Sequence, residues 1–154
     1  MKPKDGITQG LRPILDRRAS EAARATDPPA DDMPRMLLVC SDQVDVRLIP
    51  RLRSAGYQLT IRTNAIGTSA EVLTSKPELV LVEDSPDLPG LSGRGLAHSL
   101  VTVGIGVVLV TTEPELDRRR DLERDLSVHV LWVGERDLVG ALEFIVSRHR
   151  ARRA

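Results

Sequence analysis

Glu83 and Asp84 stand side by side at the end of an apolar run, Leu79 to Val82, and a Pro/Gly-rich loop follows them at 85–93. A fully buried strand hands its last residues to its carboxyl end, which is where open α/β sheets carry ligands and chemistry. Carboxylates in that place are candidates for accepting a group or holding a cation. The same pair also reads as the polar stop of a strand.

Other residues with chemical potential are sparser. Cys40 closes a second apolar run, MLLVC at 36–40, with no base evident near it, and reads as a buried structural cysteine. His98, His129 and His149 have no ligand spacing with Cys40 or with one another, so a zinc site is not expected. Gly104 and Gly106 precede a strand, the wrong context for a dinucleotide-binding loop.

The elements that position these residues follow from hydrophobic periodicity. The first 34 residues are rich in Pro, Asp, Arg and Ala and end in DPPADDMP at 27–34. They read as an arm over 1–34, disordered or partly helical within 11–25, ahead of a folded domain over 35–150 and a short basic tail at 151–154. MLLVC (36–40), QLTIRT (58–63), LVLV (79–82), GVVLVTT (106–112) and VHVLWV (128–133) read as strands. The segments 44–56, 69–76, 93–101, 114–126 and 135–150 read as helices, the last with Leu138, Leu142, Ile145 and Val146 on one face. Pro50 should kink or delay the first helix, and Pro114 is expected in the first turn of the fourth.

Strands and helices in strict alternation, joined by short right-handed crossovers, predict an α/β fold. The expected form is a doubly wound, five-stranded parallel sheet in the order 2-1-3-4-5, a flavodoxin-like three-layer α/β/α arrangement. The first, third and fourth strands are the most continuously apolar and should be central. Their carboxyl ends then bring positions 40–42, 83–84 and 111–112 into one crevice.

Composition narrows the function classes. The chain of 154 residues is 41% apolar, with Tyr57, Trp132 and Phe144 as its aromatics, which suits aliphatic helix-on-sheet packing and not a stacking surface for single-stranded nucleic acid. Its 22 basic residues balance 22 acidic ones, so no global field draws it to nucleic acid or to a membrane. A single cysteine, the absence of a membrane-length apolar run and an N-terminus without a secretory core lead to the expectation of a cytoplasmic protein.

From about Arg35 to Arg148 the chain resembles the receiver domain of two-component response regulators, the CheY-like family. AGY (55–57), KPELVLVED (76–84), LPGLSG (88–93) and VVLVTT (107–112) carry the likeness. In that family paired acids after the first strand help hold Mg²⁺, an acid ending the third strand accepts a phosphoryl group, a hydroxyl ends the fourth and Lys-Pro ends the fifth. Here the paired acids fall on Cys40 and Ser41, with Asp42 one position late. A thiol and a hydroxyl are poor magnesium ligands, so the resemblance implies at most a weak metal site on Asp42 and Asp84, and no other cofactor.

The acceptor place is open between Glu83, counted from Pro77, and Asp84, counted back from Pro89. The loop carries an insertion on either count. A glutamate in that place would put a fixed carboxylate on a longer stem, mimicking a switched-on charge. Thr111 or Thr112 matches the switch hydroxyl, though either also reads as a β-branched strand end. Lys-Pro falls on Val133 and Gly134, which removes the bridging cation.

The resemblance therefore implies an atypical, degenerate receiver, or pseudo-receiver. It would stand alone and act in intracellular signal transduction through protein contacts, not as an enzyme, with phosphorylation lost or weak. Its expected partners are a histidine kinase or a downstream effector. Trp132, Arg118, Arg119 and Arg136 mark the surface of the fourth helix, fifth strand and fifth helix, which would also serve a homodimer. Trp132 equally reads as core, and the charged fourth helix as a solvated face. Two alternatives stand beside it: a working phosphorelay receiver phosphorylated on Asp84 with Mg²⁺, and a small flavodoxin-like enzyme or ligand-binding module.

Overall fold

Along the first strand Leu37 and Val39 face one way and Met36 and Leu38 the other, and all four are buried. Burial on both faces belongs to the middle of a sheet covered by helices on each side. A computed structural model describes residues 33–153 apart from 43, 45, 46 and 87. The arm expected over 1–34, with its short helix, lies outside the described residues except for Met33 and Pro34.

The elements in order are β1 (Arg35–Val39), α1 (Leu48–Ser54), β2 (Gln58–Arg62), α2 (Thr68–Ser75), β3 (Leu79–Glu83), α3 (Gly93–Thr102), β4 (Val107–Thr111), α4 (Leu116–Leu126), β5 (His129–Trp132) and α5 (Leu138–Arg153). All strands pair in parallel in one five-stranded sheet ordered β2-β1-β3-β4-β5, the topology expected from the sequence. β1, β3 and β4 are buried along their apolar runs, whereas β2 and β5 at the edges are only half-buried.

Leu37, Val39, Val80, Val82 and Leu109 share one core layer with Val72 of α2 and with Leu96 and Leu100 of α3. The alternate strand residues Met36, Leu38, Leu81 and Val108 are buried on the opposite face, which right-handed crossovers give to α1 and α5. Leu52 and Leu142, from these two helices, are fully buried. No helix among the described residues is long and apolar enough to cross a membrane.

Several helix boundaries lie away from those read in the sequence. α1 begins at Leu48 and not at 44, the delay expected of Pro50, which becomes its third residue, where a missing N–H costs nothing because first-turn donors have no intrahelical acceptor. Pro114 lies ahead of α4 and not in its first turn, because Glu115 is extended and forms the N-cap. The Glu113 side chain accepts the Glu115 N–H at 3.0 Å and holds that entry open. α5 starts late, at Leu138, where the Asp137 carboxylate accepts the Gly140 N–H at 3.0 Å. It then runs on to Arg153, so the expected tail is helical at 151–153.

Candidate functional site

β1, β3 and β4 end side by side, with Val39 opposite Val82 and Glu83 opposite Val110. Asp84 prolongs the ladder by donating its N–H to the Val110 carbonyl at 2.7 Å. Successive residues of a strand point to opposite faces, so the adjacent acids part company. Glu83 turns to the end of β1, where Oε1 accepts both the Ser41 N–H at 2.6 Å and the Ser41 hydroxyl at 2.8 Å. Asp84 turns to β4 and α3. Its Oδ1 accepts from Arg94 Nε at 2.8 Å, and its Oδ2 accepts from Arg94 Nη2 at 3.2 Å and from the Thr111 hydroxyl at 3.0 Å.

The Pro-Gly loop explains how Arg94 reaches that carboxylate. Ser92 caps α3 by accepting the Gly95 N–H at 3.1 Å, and Gly93 donates to the Ser85 carbonyl at 2.7 Å. A Cβ on Gly93 would sit 1.9 Å from the Glu83 carbonyl oxygen, so only glycine lets the first turn of α3 come this close to the end of β3. Arg94 follows at once and delivers a bidentate guanidinium to Asp84. A cleft of about 320 Å³ opens beside the pair, lined also by Ser85, Pro86 and Ser92.

Thr111 is buried and links the site to the next loop, since its hydroxyl also accepts the Glu113 N–H at 3.1 Å. Thr112 is exposed, so of the two candidate hydroxyls only Thr111 joins the acids. Cys40 is 2% exposed, and burial, with Glu83 and Asp42 adding to it, pushes its thiol up to about 11.

No family model matches the chain, and no curated protein does either. Solved structures do match. The BeF3-activated N-terminal receiver domain of RstA from Klebsiella pneumoniae shares 18% identity over 73% of this chain and 97% of its own, with a TM-score of 0.62. A CheY-like receiver domain protein from Methanospirillum hungatei shares 18% over 78% and 98%, with a TM-score of 0.61. The receiver domain of the Francisella response regulator 1452 shares 14% over 75% and 98%, also at 0.61. The chain has the CheY-like receiver fold.

In this receiver fold the residues present fit Mg²⁺ poorly. The Cys40 thiol stays protonated, Ser41 is committed to Glu83, and Asp84 is engaged at both oxygens by Arg94. Asp42 is exposed in the turn after β1, and among the described residues no three of His, Cys, Asp and Glu stand together as a metal-holding group.

At the end of β5, where receivers carry Lys-Pro, Gly134 lies against the Trp132 indole, and a Cβ there would fall 2.5 Å from ring atom Cζ2. Arg51 of α1 reaches across to donate to the carbonyls of Val133 at 3.5 Å and Glu135 at 3.1 Å. Arg119 stacks over the half-buried Trp132 ring at 5.0 Å, Arg118 pairs with Glu113 and Glu115, and Arg136 is exposed. Trp132 is thus neither plain core nor a bare surface anchor.

Arg94 and Arg51 are the residues that sequence reasoning missed. Arg94 carried a usable signal, since it follows the second glycine of the loop and opens the helix next to the acid-bearing strand. Arg51, in the middle of an amphipathic helix, carried none.

Proposed function

We propose that the chain is a receiver-like signalling module that works by protein contact, with phosphorylation on Asp84 lost or much reduced. The observation that carries this reading is the bidentate Arg94–Asp84 pair. A carboxylate that is to attack a phosphoryl donor needs a free oxygen lone pair and a cation that bridges to the incoming oxygens. Here the cation is spent on the carboxylate itself, and a protonated thiol and a serine stand where a hard cation would be held.

Glu83, tied to Ser41, keeps a second acid on a longer stem in the crevice, and it would stand in for a switched-on charge if it, and not Asp84, held the acceptor place. Partners of this reading are intracellular signalling proteins, a histidine kinase or a downstream effector, meeting the face of α4, β5 and α5. Arg118, Trp132 under Arg119, and Arg136 would supply its contacts, and the same face would serve a homodimer.

Incubation with Mg²⁺ and acetyl phosphate, followed by intact mass, tests the reading. The expected result is an unchanged mass. A stable gain of one phosphoryl group, abolished by Asp84→Ala, would overturn it in favour of a working phosphoacceptor.

A further inference from the structure

At the opposite end of the sheet, where β3, β4 and β5 begin, lies a cavity of about 350 Å³, within the size range of small-molecule sites. Its walls divide by chemistry. Val101, Ile105 and Val128 are aliphatic, while His129, His149 and Arg152 bring basic groups from β5 and α5 to one side.

His129 is pushed below the ordinary histidine range by burial first, then by Arg152, Arg148 and His149, with Glu123 acting the other way. His129, His149 and Arg152 thus give this end three basic side chains, with Glu123 the acid that acts on His129. Cations near helix C-termini, such as those of α3 and α4 here, have a structural use of their own, but that use neither requires nor creates an apolar hollow beside them.

We propose that this cavity binds a small amphipathic carboxylate, its head at His149 and Arg152 and its apolar part along Val101, Ile105 and Val128. A free phosphate dianion would meet the basic side but bring nothing to cover the aliphatic wall. A neutral hydrocarbon would bring no acceptor to the basic side. The site is remote from Asp84 and stands whether or not that residue is phosphorylated.

The test is an amide NMR titration of the full ¹⁵N-labelled chain with hexanoate, and in separate arms with hexanol and inorganic phosphate. Hexanoate is expected to give saturable shifts at Ile105, Gly106, Val128 and His129, and to raise the His129 pKa. Arg152→Ala and His149→Gln should each weaken it about tenfold, with thermal melts confirming that both variants fold. Absence of saturation with hexanoate overturns the proposal. So does hexanol binding as tightly, which removes the role of the basic side, or phosphate saturating the same amides as tightly, which removes the role of the wall.

Discussion

Arg94 holds Asp84 at both carboxylate oxygens, Nε to Oδ1 at 2.8 Å and Nη2 to Oδ2 at 3.2 Å, from the first turn of the helix that follows the acid's own strand. The two partners differ in exposure: the Arg94 side chain is 54% exposed and that of Asp84 12%. The pair is therefore more a device for occupying Asp84 than a source of stability. Arg94→Ala should cost only about 0.5–1 kcal/mol in urea unfolding, as half-exposed pairs do. Arg94→Lys should lose about as much, because an ammonium cannot reproduce the fork. A loss of several kcal/mol in either variant would mean that the pair is structural.

Thr111 works differently because it is buried and uses its hydroxyl twice, donating to Asp84 and accepting from Glu113. Thr111→Val leaves the Glu113 N–H without that acceptor and should cost about 1–3 kcal/mol. Thr111→Ser keeps both bonds and should lose only the methyl contribution, about 1 kcal/mol. Equal losses in urea unfolding of the two variants would remove the hydroxyl from the account.

The fold was legible because each of its determinants is local. Apolar runs of strand length, helix stops at Gly56 and Pro77, and strict alternation leave little choice of topology, and the structure adds only shifts of boundary. The site was legible only in its strand-borne parts. Position 40, position 83 and position 111 follow from strand ends, so their convergence could be foreseen. What the acids do there depends on side-chain direction. The register that sends Glu83 to Ser41 and Asp84 to Arg94 is decided by one residue of alternation, and strand lengths read from sequence are not accurate to one residue. Arg51 was invisible for a related reason: its carbonyl acceptors lie more than eighty positions away, in a loop whose course no local pattern sets.

Two glycines separate steric need from backbone need. At Gly93 a methyl group would meet the Glu83 carbonyl, a backbone atom that cannot step aside, so Gly93→Ala should cost about 3 kcal/mol or more. Gly104 has a φ of 84° and open space around it, so Gly104→Ala should cost only the left-handed backbone penalty, about 1–2 kcal/mol. Thermal unfolding of the two variants side by side checks the difference. The loop motif that Gly93 closes would then owe its glycine to packing, independent of any phosphoryl chemistry.

Cys40 links the crevice to pH. Burial pushes its thiol from the ordinary 9.0 up to about 11, so between these values the folded chain holds a proton that the unfolded chain has released. Stability from this group is complete below pH 9 and is lost as the pH rises toward 11. Tyr57, also pushed up by burial and by Glu143, adds to the fall from a higher starting point. The informative measurement is therefore the difference between wild type and Cys40→Ala in urea unfolding across that window, where the variant should show the shallower decline. Iodoacetamide supplies an independent check at pH 8, where the native thiol should stay unmodified and react only once the chain is unfolded. Rapid alkylation of the native protein would mean that Cys40 is an accessible thiolate, and would reopen the end of β1 as a reactive position.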